Sequence, residues 1–348
     1  MSILDFNISR EEWLEGVELK SKSYNSWYAH KVGIAKWDLY LKSIDHTDKA
    51  ILLELKGKSN DPDTYRFLNR YIQWLSKQGL KRSTIDLNFA VLRSWCAANG
   101  VMLFNEYVKR FVNLPKEIKE IRQPLSSETI KLLVHNSSKN VRTVLLVLLS
   151  SGMRIGECLH LMVRDIDDTK NPVEIKIRAA TTKSRQERID YISAEAWDQL
   201  KPLLLDKEPT DYIFIKNYTK ASLISFEMQF GRLRTKLGLV EKYEDGRNYH
   251  VNIHAFRDYF HTQATKILGG DTAHALLGHH QYLDQYFRLD QAEKAEMYHK
   301  LEPYITVSDE ARQKMIIEDK DKEINELRMM KEQLDKVNAK VRRLEKLS

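Results

Sequence analysis

Residues 150–167, SSGMRIGECLHLMVRDID, decide how the rest of the chain is read. The apolar run Val144–Leu149 just before them has the density of a buried helix, and Ser150, Ser151 and Gly152 stop it. Arg154 emerges from this small-residue turn, and Ile155, Leu159, Leu161 and Met162 predict an amphipathic helix after it. A guanidinium drawn into a helix start is costly unless an anion meets it there. Glu157, three residues on, is placed to hold Arg154 or to cap the backbone.

Downstream the pattern changes from helical spacing to alternation. Val173, Ile175 and Ile177 alternate with Glu174, Lys176 and Arg178, and Ile189, Tyr191 and Ile192 follow a polar tip. This predicts a β-hairpin with TTKSRQE (181–187) at or near its turn. Lys183 stands on that tip, where a lysine can reach a DNA groove and donate a proton. Helical patterns return from 194 onward, through 222–237 and 254–268. In HAFRDYF (254–260), His254 and Arg257 lie one helical turn apart, a pairing suited to phosphate: Arg grips oxygens while His shuttles a proton. In ALLGHHQYLDQYFRL (275–289), Gly278 ends a helix and His279 and His280 follow the turn. Tyr282 and Tyr286 then lie four apart on the next predicted helix.

Each motif alone has an ordinary explanation: a salt-bridged arginine, a basic hairpin tip, a tyrosine tethered in a core. Their order is more specific. Arg, hairpin Lys, His-x-x-Arg, Leu-Gly-His and Tyr together resemble the catalytic set of the tyrosine recombinase (phage integrase) family. SGMRIGECLHL resembles its first arginine box and Leu277-Gly278-His279 followed by Tyr286 its second, while YLDQYFRL and the later YHKLEPYITV resemble the archaeal branch. The resemblance spans about 125–305, and extends with weaker sequence support to the N-terminal part as the family's helical core-binding domain. The interval from His279 to Tyr286 is about two residues shorter than in common bacterial members, which leaves Tyr282 and Tyr298 as competitors for the nucleophile. The Tyr-Phe-Arg context favours Tyr286.

The resemblance implies a mechanism. Tyr286 attacks the scissile phosphate of double-stranded DNA, giving a 3′-phosphotyrosyl link and a free 5′-hydroxyl. Arg154 and Arg257 neutralise charge on the non-bridging oxygens. His254 handles the tyrosine proton, Lys183 protonates the leaving oxygen, and His279 completes the phosphate hydrogen bonds. Exchange of one phosphodiester for another through a covalent link requires neither ATP nor metal, so no cofactor is expected. Family members act as homo-tetramers on two duplexes, exchanging a C-terminal segment.

The remaining sequence frames this core. Residues 1–112 read as mostly helical, with Tyr65, Leu68, Tyr71, Ile72 and Leu75 on one stripe and Ile85, Phe89, Leu92 and Trp95 on another. Lys22, Lys31, Lys36, Lys42, Lys77, Lys81, Arg82 and Arg93 lie between these apolar positions, either as a surface for phosphates or as a solvated face. The segment 113–124, bracketed by Pro115 and Pro124, is the expected linker to a catalytic domain over 125–305. In 306–348, Leu327, Met330, Leu334, Val337, Val341 and Leu344 alternate steps of three and four, the seam of a C-terminal helix suited to a coiled coil. The expected fold class is therefore mainly α with a small β-sheet (α+β).

The formal charge of +7 over 348 residues is compatible with a polyanionic partner without requiring one. Cys96 and Cys158 lack metal-ligand or disulfide-framework spacing and read as core residues of a cytoplasmic protein. No apolar run has membrane-span length, and no signal region precedes the first helix, so no membrane partner is expected. A helical DNA-binding regulator would account for charge, helices and tail, but not for six site residues in family order. Chromosome-dimer resolution of the Xer kind, telomere resolution and type IB topoisomerase activity share the phosphotyrosine chemistry. The separate N-terminal helical domain and moderate length favour recombination over the last two.

Overall fold

A computed structural model of the chain describes residues 8–116, 124–182, 185–243, 248–278 and 289–345, with side chains of the final helix described to 338. The chain divides into two compact units, Met1–Lys119 and Glu120–Ser348.

The first unit is helical: α1 (Arg10–Ser21), α2 (Tyr24–Ser43), α3 (Asp48–Leu55), α4 (Pro62–Lys77), α5 (Arg82–Ala98) and α6 (Asn105–Phe111). Asp61 caps α4 and Pro62 opens it, a pairing that needs no backbone N–H at the first position. The predicted stripes form the core: Tyr65, Leu68, Tyr71, Ile72 and Leu75 of α4 and Ile85, Phe89, Leu92 and Trp95 of α5 are all buried. Asp48 accepts from both Trp37 Nε1 (2.8 Å) and Trp95 Nε1 (3.0 Å), so one carboxylate satisfies two indole donors. Lys22, Lys31, Lys42 and Lys77 are exposed.

The second unit is built around α8 (Lys139–Ser151), whose residues from Val144 to Ser151 are all buried. α7 (Ser127–Asn136), α10 (Ala194–Leu200), α12 (His254–Leu268) and α14 (Gln291–Ile305) pack on it. A helix buried on all sides must be apolar all round, as the run 144–149 is. The remaining helices are α9 (Ile155–Leu159), α11 (Lys220–Lys236), α13 (Gly270–Leu276) and α15 (Asp309–Glu345). Cys96 and Cys158 are both buried. Among the described residues no helix is long and apolar enough to cross a membrane.

The sheet adds to the expected hairpin. β2 (Val173–Ile177) and β3 (Arg188–Ile192) pair antiparallel, and β1 (Ile166–Asp167) extends the sheet on the other side of β2. The register sets Ile175 opposite Asp190 and Ile177 opposite Arg188. Residues directly opposite share a face, so Arg188 and Asp190 stand on the side of the buried Ile175 and Ile177. Simple apolar-in alternation does not describe β3.

The helix after Arg154 is shorter than its apolar spacing predicts. It ends at Leu159, and Leu161 and Met162 lie beyond it. The Leu161 carbonyl accepts from Ile213 N at 2.9 Å, and Met162 forms a β-bridge with Tyr212. Asp165 accepts from Met162 N at 2.9 Å, fixing the exit. Partners some fifty residues downstream satisfy this backbone better than further helix would.

Candidate active site

The site begins where α8 stops. Gly152 is left-handed (φ +65°), and an added Cβ would lie 2.6 Å from Phe260 Cδ1 and 2.7 Å from Leu277 Cδ2. Only glycine allows this turn and this close approach. Two residues on, Arg154 caps α9: its N–H donates to Glu157 Oε2 (2.9 Å) and its Nη1 to Glu157 Oε1 (3.1 Å). The Arg154 side chain is 41% exposed against 2% for Glu157, so the guanidinium has a buried anchor and an open face.

α12 brings the second arginine to the same turn. Arg257 is 5% exposed; its Nη1 donates to Gly152 O and its Nη2 to Leu277 O (3.2 Å). Burial lowers its pKa to about 10, and the neighbouring Arg154 charge pushes the same way. Glu157 and Asp190 act in the opposite sense. His254 opens α12 as an exposed side chain, its Nε2 3.7 Å from Asp258 Oδ1. Arg257 thus anchors on the carbonyl of Gly152, two residues before Arg154 and within reach of its charge, while His254 presents its imidazole to solvent one turn before Arg257.

A third arginine, absent from the expected set, completes the electrostatics. Arg188 of β3 donates from Nη2 to Glu157 Oε2 (2.7 Å) and from Nη1 to Glu157 Oε1 (3.3 Å). On its other side it donates from Nε to Asp190 Oδ1 (2.8 Å) and from Nη2 to Asp190 Oδ2 (2.9 Å). Burial opposes the Arg188 charge, but Asp190 and Glu157 outweigh it and the pKa lies above the ordinary arginine range. Burial alone would raise the Glu157 carboxyl; Arg188, with Arg154 behind it, brings it below the usual carboxylate value. The available sign in the sequence was Arg188 and Asp190 two apart within a strand, which places both on one face.

Of the other expected site residues, Lys183, His279 and Tyr286 lie outside the described residues, as does Tyr282. Tyr298 is described and does not suit a nucleophile: it is 1% exposed, and its hydroxyl donates to Ser150 O at 2.8 Å. Burial raises its pKa well above that of a free phenol.

The phage integrase family model matches residues 115–291, half of the chain. The chain belongs to the phage integrase family, the tyrosine recombinases. It is 24% identical over 241 residues to the tyrosine recombinase XerC of Proteus mirabilis, an alignment covering 65% of this chain and 75% of that one. It is 27% identical over 178 residues to transposase A from transposon Tn554 of Staphylococcus aureus, where 48% of this chain aligns with 47% of the relative. Among solved structures, lambda integrase (75–356) in a dimer bound to a COC′ core site has a TM-score of 0.55 at 15% identity, covering 82% of this chain and all of that one. XerH recombinase bound to difH has a TM-score of 0.53 at 16% identity, covering 84% and 85%. At these identities the solved structures show a shared fold. As a tyrosine recombinase the chain is an enzyme of site-specific recombination.

Proposed function

We propose that the chain cuts and rejoins double-stranded DNA through Tyr286, with Arg154 and Arg257 holding the scissile phosphate. The observation that carries this reading is a pair of guanidiniums on one turn: Arg257, buried on the Gly152 carbonyl, has its proton affinity lowered by burial and by the charge of Arg154, two residues beyond that glycine. A phosphate between them relieves that repulsion, and a phosphorane-like transition state, which carries more charge, relieves it further. The Tyr286 oxygen bonds to phosphorus as the bond to the 5′-oxygen breaks; His254 takes the phenolic proton and Lys183 gives one to the leaving oxygen. His279 adds a hydrogen bond to the phosphate. Attack by the freed 5′-hydroxyl of another strand reverses these steps and completes the exchange.

Assembly on two duplexes is part of the proposal, with four copies and α15 as a contact between them. At 1.5 Å per residue, the 37 residues of α15 extend about 55 Å. Its Leu327, Met330, Leu334 and Val337 are more than half exposed and follow heptad spacing. Its start is fixed: Glu195 accepts from Val307 N (2.7 Å) and Ser308 N (3.0 Å), and Lys131 pairs with Asp309 at 2.6 Å. The exposed lysines of the first unit suit phosphate contacts along the duplex. We place the enzyme in the cytoplasm, where Cys96 and Cys158 remain thiols.

The test is covalent trapping on nicked duplexes drawn from a randomised pool by the wild-type chain. Wild type and Tyr298→Phe should give a detergent-resistant protein–DNA adduct and Tyr286→Phe none. An adduct that survives in Tyr286→Phe and vanishes in Tyr282→Phe would move the nucleophile to Tyr282.

A further inference from the structure

We propose that Arg188 is a positioning residue of this site: acting through Glu157, it holds Arg154 in the orientation that meets the phosphate. The inference rests on the assignment of Arg154 to that phosphate.

Arg154 has a long side chain, 41% of it in solvent, and an unrestrained arginine loses much rotamer freedom when it binds. Its carboxylate anchor is Glu157, which is buried. A buried carboxylate is a firm anchor only while it stays ionised and fixed. Arg188 supplies both conditions, with a two-pronged contact to Glu157 at 2.7 and 3.3 Å. Arg188 is itself clamped by Asp190, and its side chain is only 11% exposed. Gly278 closes the clamp. It is left-handed (φ +65°), and an added Cβ would lie 2.6 Å from Arg188 Cδ and 3.3 Å from its Nε. Gly278 immediately precedes His279, so one arginine touches the turn entering the second box and, through Glu157, the guanidinium of the first.

Energetics separate this from an incidental ion cluster. Arg188 and Asp190 occupy the same sheet face as Ile177 and Ile175, where apolar side chains would ordinarily be as stable or more so. Charges kept in such a place point to a requirement other than stability.

The experiment is single-turnover cleavage of the nicked duplexes, with DNA affinity and melting temperature measured on the same full-length samples. Arg188→Met keeps the stem and removes the charge. At saturating DNA it should cleave about 10- to 100-fold more slowly, the scale of a displaced catalytic group. DNA affinity should stay within about threefold, and Arg188→Lys should recover part of the rate. In a Glu157→Gln background the same Arg188→Met change should cost under about threefold, because the connection to Arg154 is already cut.

The pH profile reads the same link. Glu157 faces Arg154 on its own element, Arg188 and Asp190 on β3, and Arg257 on α12. Losing Arg188 removes its closest cation, so the acid limb of cleavage should move to higher pH in Arg188→Met. Glu157→Gln should abolish that limb. If Arg188→Met melts below the assay temperature, Arg188→Lys carries the same cycle. A folded Arg188→Met cleaving at the wild-type rate, or an equal loss in both backgrounds, overturns the positioning role alone. A wild-type chain that forms no adduct overturns the phosphate assignment and this inference with it.

Discussion

Gly152→Ala tests whether the turn at the end of α8 holds the two arginines together. The φ of +65° places an L-residue in the left-handed region, at about 1–2 kcal/mol. The new Cβ would stand 2.6 Å from Phe260 Cδ1 and 2.7 Å from Leu277 Cδ2. The Phe260 ring and the Leu277 branch both belong to buried side chains, and making room among them costs about 1–3 kcal/mol more. A total of about 2–5 kcal/mol should lower the melting temperature of this unit by on the order of 10 °C, given about 2–4 °C per kcal/mol at its size. Gly156→Ala is the control, since its Cβ would have nothing within 4 Å. Calorimetry of the three proteins side by side makes the measurement. Well below melting, the variant should still cleave DNA more slowly, because the Gly152 carbonyl that accepts from Arg257 moves with the turn. A melting shift under about 2 °C, less than one kcal/mol at this size, would refute the packing argument. A large shift with unchanged cleavage in the folded protein would refute the link between turn and site.

Three further outcomes follow from the same contacts. Tyr298→Phe should lose about 1–3 kcal/mol, because the buried Ser150 carbonyl loses its donor, and should still form the covalent DNA adduct. Loss of the adduct in that folded variant would make Tyr298 the nucleophile. The Glu157 carboxyl lies below its ordinary value, so its contribution to stability is complete above the unfolded carboxylate pKa and is lost as pH falls through the lower folded one. Melting curves of wild type and Glu157→Gln should therefore converge on acidification; a gap that stays constant down to the acid transition would contradict the ion pairing. Leu327→Glu combined with Leu334→Glu, both at exposed positions of α15, should leave the melting temperature within about 2 °C and single-duplex cleavage intact, since surface changes seldom matter to stability. The same variant should weaken pairing of two duplexes, read by light scattering and gel shift, and unchanged pairing would remove α15 from the assembly.

How far the sequence discloses this molecule depends on where each element finds its partners. α8 was legible because everything that defines it is local: an unbroken apolar run and a glycine able to adopt φ +65°. α4 and α5 were legible for a similar reason, since helical spacing alone marks the faces that meet. α9 was not, because its end is set by backbone partners at 209–213, and no pattern within 155–162 records them. Nor was β1, two residues long, which exists through its pairing with Ile175 and Glu174. Among the candidate site residues, Arg154 and Arg257 are picked out by their order, but the order does not say that Arg257 is buried against the carbonyl end of α8, two residues before Arg154. Arg188 does not stand out in the sequence because the apolar residues of β3 are Ile189, Tyr191 and Ile192, while the decisive fact is the register that puts Arg188 and Asp190 on the core side. A buried charge in a strand is invisible to apolar counting until its counter-charge is known, and Glu157 lies thirty-one residues away. The departure from alternation is itself informative. A strand that gives two inward positions to an ion pair gives up apolar burial there, and the arginine of that pair reaches both the carboxylate under Arg154 and the glycine before His279. The residue that simple patterning misplaces is thus the one that touches both Glu157 and the turn at Gly278.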